Sequence, residues 1–375
     1  MKFRDIIGHK NEITKLLAMV DNGQLPHALL FHGPPGIGKM LTALAFVQYL
    51  NCTNRTNGES CGVCAACRQT SKFNNPDIHF VYPVRKKSGL ERPLSTDYIE
   101  EWKSFIEENP YMPVEKWSEY IDAGNSQPLI YVFESEEILR ISSLSTYGKG
   151  YKIFLIWQPE KMNAEAANKL LKVIEEPHND TLFILVSNNP GALLPTVRSR
   201  LQAIEFTGLS EDQVMKILGQ NGVEPDRSAS IAKISKGNLN KALQFAEGKS
   251  EMTDFSNGFI EVMRCCYARK ITELKQIADS FASFGREKSM RCLSYFSRMI
   301  RESFISNLNE KKLLSVTPDE ENFISKFGPF INNKNVEEMV DEIDKAYEDI
   351  SRNANQKIVW FDLFLQLTRL IRTKR

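Results

Sequence analysis

The run Gly33-Pro34-Pro35-Gly36-Ile37-Gly38-Lys39 constrains the fold of this chain more than any other feature. His27-Ala28-Leu29-Leu30-Phe31-His32, a short and mostly apolar stretch, leads into it, and the good helix formers of residues 41–47 follow. Strand, glycine-rich loop and helix in that order build a phosphate cradle. The glycines let backbone approach an anion closely, while loop N–H groups and the helix N-terminus present positive potential. A chain carrying this unit is expected to be α/β. Residues 129–133, 152–157 and 182–186 are further strand candidates, each continuously apolar rather than alternating. That is the pattern of a parallel sheet covered on both faces.

At 375 residues the chain is expected to form two or three domains. The α/β part is expected over residues 1–207, with an aromatic and acidic insertion at about 86–127 that has no place in the minimal sheet. Strand-like runs stop near residue 207, so a small helical lid is expected over 208–250 and a helical C-terminal domain over 251–375. In the latter, Val336, Met339, Val340, Ile343, Ala346, Tyr347 and Ile350 fall at the spacing of one apolar helix face. With 48 basic and 47 acidic side chains the formal charge is +1, which excludes a bulk electrostatic signature for nucleic acid or membrane. Without an apolar leader or a run of about 18 apolar residues, the expected location is cytoplasmic and not membrane-bound.

Lys39 is placed to contact terminal phosphates, with Gly33, Pro34, Gly36 and Gly38 forming the cradle, so ATP or ADP binding is chemically reasonable. Magnesium is poorly provided for. Met40 stands where a hydroxyl would ligate the metal, and Thr42, about 200° further round the helix, is not a simple substitute. The strand at 152–157 runs into Trp157-Gln158-Pro159-Glu160 where a pair of acids would be needed; Glu160 is displaced behind a proline. Autonomous ATP hydrolysis is therefore not expected.

Cys52, Cys61, Cys64 and Cys67 offer four thiolates within a short module at 52–67, the donor set of a closed tetrahedral zinc site. An iron–sulfur cluster is the chemical competitor. Cys265, Cys266 and Cys292 are expected to pack helices.

These motifs together resemble the delta-prime subunits of the bacterial DNA polymerase III clamp loader, within the AAA+ superfamily. The resemblance rests on residues 3–8, Leu25-Pro26-His27-Ala28, the cysteine spacing, residues 166–177 (AANKLLKVIEEP) and Thr196-Val197-Arg198-Ser199-Arg200. It implies that Arg200 acts in trans as an arginine finger on a neighbour's ATP, with Arg198 the competing candidate; the family's cysteine after this arginine is Leu201 here. The lid arginine of the family pattern is replaced by Asn240, beside Lys241, and Ser187-Asn188-Asn189 follows a core strand where the family has its first sensor. Implied partners are gamma or tau motor subunits, the delta subunit, the sliding clamp and primer-template DNA, in a hetero-pentamer joined through a C-terminal collar. Two other readings stay open: an ATP-hydrolysing motor of the gamma/tau type, and a zinc-bearing nucleic-acid-binding module.

Overall fold

The computed structural model describes residues 2–372 except 87, 88, 90, 124, 125, 149, 179, 248–250, 309–313 and 315. The end of the expected lid, parts of the 86–127 insertion and residues 373–375 thus lie outside the described residues. The chain forms two compact units, Met1–Val214 with Lys236–Lys241, and Met215–Ser235 with Ala242–Arg375.

The first unit is organised by β1 (Ala28–His32), β2 (Ile78–Val81), β3 (Lys152–Trp157), β4 (Thr181–Ser187) and β5 (Gln202–Glu205). They pair in the order β2-β3-β4-β1-β5, every neighbouring pair parallel. Both faces are covered, which explains the continuous apolar runs. Leu29, Phe31, Ile153, Leu155, Leu182 and Ile184 point into one core, while Leu30, Phe154, Ile156, Phe183 and Leu185 point into the other.

Around the sheet lie α1 (Lys10–Asp21), α2 (Lys39–Leu50), α3 (Ala65–Ser71), α4 (Ile99–Glu108), α5 (Val114–Tyr120), α6 (Val132–Ser142), α7 (Ala164–Glu175) and the short α8 (Pro195–Arg198). Residues of α2, α4 and α5 join the first core, and residues of α6 and α7 the second. The insertion is therefore part of the core. Trp102 of α4 is fully buried, stacked on Tyr82 at 4.0 Å and meeting Trp117 and Trp157 edge-on or tilted at 5.4 Å.

The structure corrects one expected strand. Leu129 and Ile130 make only single bridges, to Val84 and Met162, and the chain turns helical at Val132. Five apolar residues do not distinguish a strand from a helix entry, and Glu134 in the first turn favours the helix. Conversely β2 and β5 carry no strong strand pattern: β2 is four residues long, and in β5 only Ile204 is buried.

The second unit is helical. The remaining helices of the chain are α9 (Glu211–Gln220), α10 (Pro225–Ser235), α11 (Leu239–Glu247), α12 (Glu251–Ala268), α13 (Ile271–Phe281), α14 (Arg286–Ser306), α15 (Pro318–Phe327), α16 (Val336–Ser351) and α17 (Gln356–Leu370). Met339, Ile343, Ala346 and Ile350 of α16 enter a core with Phe281, Phe296, Trp360 and Phe364; Cys265, Cys266 and Cys292 are buried in it. Thr317 closes a reciprocal cap with Glu320 at the start of α15. The α/β class with a helical C-terminal region thus agrees with the sequence reading. No helix among the described residues is long and apolar enough to cross a membrane.

Candidate functional site: a closed phosphate loop, a cysteine cluster and a surface arginine

The glycine loop leaves the C-terminal end of β1, between β4 and β5, where parallel sheets commonly receive ligands. Gly33, Gly36 and Gly38 all have positive φ, at 148°, 72° and 98°. Two of them also have no room for a side chain. A Cβ on Gly33 would fall 2.1 Å from the Phe206 carbonyl oxygen, and one on Gly36 2.1 Å from Asn238 Oδ1.

Lys39 does not reach outward. Its Nζ donates to the carbonyls of Gly33 (2.8 Å) and Pro34 (2.5 Å) and to Asn188 Oδ1 (2.9 Å). Burial pushes this ammonium from its ordinary 10.5 down to about 7, against the opposing pull of the Glu160 carboxylate. The space between residues 36–40, Pro110–Met112 and Trp157 is a cavity of about 10 Å³. That is close to the 10–15 Å³ that one water needs.

Among the described residues lining this space there is no carboxylate and no serine or threonine hydroxyl for magnesium. Met40 is buried, and Thr42 Oγ1 is buried and donates to the Gly38 carbonyl at 3.1 Å. Trp157 packs into the aromatic core; Gln158, at φ 54°, is buried with it. Glu160 Oε1 accepts the Asn188 N–H at 3.1 Å. Asn240 Nδ2 donates to the Tyr111 carbonyl at 3.0 Å, and Lys241 is exposed to solvent. Nucleotide and magnesium do not fit the arrangement present. The residues that close the loop, Tyr111, Met112 and Asn238, carry no sequence motif of their own; Asn188, directly after a core strand, and Asn240, in the lid pattern, are the visible hints.

The four cysteines of the 52–67 module do converge. Their Sγ atoms all lie within 4.8 Å of one another, and Cys61 and Cys67 are 3.9 Å apart. A tetrahedral zinc–thiolate site with bonds of about 2.3 Å has S···S edges of about 3.8 Å. Backbone N–H groups already point at the sulfurs: Asn54 and Cys61 donate to Cys52, Val63 and Cys64 to Cys61, and Cys67 to Cys64, at 3.2–3.4 Å. At Cys64 burial opposes the thiolate, but the N–H groups of Cys67 and Thr53 overcome it and bring the thiol to about 6. At Cys67 burial prevails and the thiol is raised. The donor set fits zinc. The module is tied to its surroundings by Gln48–Ser60, by Lys2 Nζ on the Cys61 carbonyl, and by Glu59, which accepts the N–H groups of Phe3 and Arg4.

Arg200 stands two residues before β5, at the N-terminal edge of the sheet, whereas the phosphate loop leaves the C-terminal edge. Five parallel residues of β1 span about 16 Å, so these are opposite edges of the unit. Its Nε donates to Glu175 Oε2 at 2.8 Å and its Nη1 to the Thr196 carbonyl at 2.8 Å, with the side chain about one third exposed. Nη2 makes no hydrogen bond among the described residues. Arg198 is exposed on α8.

The model of the family described as DNA polymerase III, delta subunit, matches residues 8–210, more than half of the 375 residues. The chain belongs to this family. Among its relatives, the DNA polymerase III subunit delta' of Bacillus subtilis is 26% identical over 283 residues, 74% of this chain and 71% of that protein. The corresponding subunit of Pseudomonas aeruginosa is 29% identical over 177 residues, 47% of this chain and 42% of that protein. The tau/gamma subunit of Haemophilus influenzae is 26% identical over 258 residues, 67% of this chain and 31% of that protein. The chain thus spans less than half the length of the latter two. The family resemblance read from the motifs is borne out.

Proposed function

We propose that this chain is the delta-prime subunit of a DNA polymerase III clamp loader, non-hydrolysing itself and presenting Arg200 to the ATP of a neighbouring motor subunit. The observation that carries the reading is that Arg200 and the glycine loop stand on opposite edges of the sheet. Among the described residues the loop offers no carboxylate or free hydroxyl to magnesium, while Arg200 lies at the far edge, out of reach of that loop and accessible to a neighbour. An arginine acting in trans matches charge developing on the transferred phosphoryl group and raises the rate by about 10³–10⁵. Glu175 and Thr196 hold the guanidinium through Nε and Nη1, and Nη2 would be the donor offered to the phosphate.

The partners in this reading are gamma or tau motor subunits, a delta subunit, the sliding clamp and primer-template DNA, in a cytoplasmic hetero-pentamer. Residues 251–375 are its collar and 208–250 its lid. Cys52, Cys61, Cys64 and Cys67 would hold a structural zinc that fastens the 52–67 module to α2 and the N-terminal segment, with no open position for catalysis.

The test is reconstitution with motor and delta subunits, clamp and primed DNA, comparing DNA-stimulated ATP turnover for wild type, Arg200→Ala and Arg200→Lys. Hydrolysis at the adjoining motor site is expected to fall at least 10³-fold with Ala, with weak rescue by Lys. An unchanged rate would sink the finger assignment. Robust turnover by the isolated chain, lost in Lys39→Ala, would instead favour a gamma/tau-type motor.

A further inference from the structure

The insertion and the first turn of α11 converge on the same loop from different parts of the sequence. Tyr111 lies over Gly38, where an added Cβ would meet its ring at 3.7 Å. Met112 lines the remaining space and is held at φ 54°, an uncommon conformation for a residue with a side chain. Its N–H is bonded to the Asn109 carbonyl at 2.9 Å, so the turn is fixed. Beneath it, Trp117 donates Nε1 to the Pro83 carbonyl at 2.7 Å and packs edge-on against Trp102, which anchors the insertion in the core. From the other side, Leu239 N–H donates to the Gly36 carbonyl at 2.9 Å and Asn238 fills the space beside Gly36. The Asn240–Tyr111 hydrogen bond joins these two elements.

We infer that Pro110–Met112, tied by Asn240 to the first turn of α11 while Asn238 fills the space beside Gly36, is a built-in plug that closes the phosphate loop to nucleoside di- and triphosphates. The loop's lysine is consumed internally. Lys39 already serves three acceptors of its own chain, and the cavity beside it is the size of one water. Admitting a phosphate requires breaking those bonds and displacing a turn anchored by buried tryptophans. The proposal goes beyond missing hydrolysis: a site lacking only magnesium ligands still binds nucleotide, whereas a plugged one does not. It rests on the reading of residues 33–39 as a phosphate loop and is independent of Arg200.

The experiment is titration of the full chain with a fluorescent ATP analogue and with unlabelled ATP and ADP, with and without magnesium. Wild type is expected to show no saturable binding tighter than about 1 mM. A Tyr111→Gly/Met112→Gly/Asn238→Gly variant, checked for native tryptophan fluorescence, is expected to bind at least tenfold more tightly, and Lys39→Ala in that background to abolish the gain. Micromolar binding by wild type, lost in Lys39→Ala, overturns the proposal. So does a folded opened variant that still fails to bind. If the opened variant does not fold, amide exchange of residues 33–40 in wild type decides: no change in millimolar ATP supports the plug, and slowing overturns it. Such binding would leave the Arg200 assay in the reconstituted assembly unaffected, so the two readings fail separately.

Discussion

If the loop glycines are enclosed by the chain itself, replacing one should destabilise the protein in the complete absence of nucleotide. Gly36→Ala is the sharpest case. Its φ of 72° costs an alanine about 1–2 kcal/mol. The new Cβ, 2.1 Å from Asn238 Oδ1, forces that side chain away and breaks its bond to the Lys241 N–H, at 3.1 Å, for about 1 kcal/mol more. The total is about 2–3 kcal/mol. Asn238→Ala alone loses only the hydrogen bond, so in the double variant the second substitution costs almost nothing extra, and a coupling of about 1 kcal/mol is expected. Urea unfolding followed by tryptophan fluorescence reads this out. In a Trp360→Phe background the emission comes from Trp102, Trp117 and Trp157, all in the first unit, which separates its transition from that of the second. With a slope of about 2–3 kcal/mol/M, Gly36→Ala should lower the midpoint by about 1 M. A midpoint within about 0.2 M of wild type, or strictly additive single variants, would refute the enclosure of Gly36 by Asn238.

Two further outcomes follow from buried and clustered groups. Purified protein should carry one zinc per chain by elemental analysis, and chelation or Cys64→Ser should speed amide exchange across residues 52–67 and the N-terminal segment tied to Glu59; unchanged exchange without metal would remove the structural role. Glu134, almost fully buried, is raised to about 7 by that burial, with the Ser95 N–H opposing and Glu137 and Asp97 adding to the rise. An acid whose folded pKa is raised binds its proton more tightly when folded, so its contribution is present below about 4.5 and lost as pH rises through about 7. Glu134→Gln keeps an acceptor for Ser95 and should raise stability by at most about 3 kcal/mol at pH 8 while changing little at pH 4; a gain confined to acid pH would contradict this.

Much of the fold was legible because its signals are local. The strand–loop–helix run at residues 28–50, the apolar strands β3 and β4, and the helical face of α16 are each recorded in contiguous residues whose periodicity reports burial directly. Edge strand β2 escaped notice because it is only four residues long and β5 because only Ile204 is buried, and residues 129–133 misled because an apolar run of that length fits a helix entry equally well.

By itself the sequence determined the residue types that chemistry requires: four thiols at ligand spacing, a lysine and glycines in a phosphate loop, no hydroxyl at Met40, and an arginine at position 200. Only the tertiary structure decided what those residues face. That the Cys52–Cys67 sulfurs converge, that Arg200 and the loop sit on opposite edges of a parallel sheet, and that Asn240 bonds Tyr111 while Asn238 lies against Gly36 all depend on contacts between residues far apart in the chain. Periodicity and spacing encode which side of an element is buried, not which distant segment buries it. The fate of the phosphate loop was written in residues 110–112 and 238–240, but became readable only once packing brought them together.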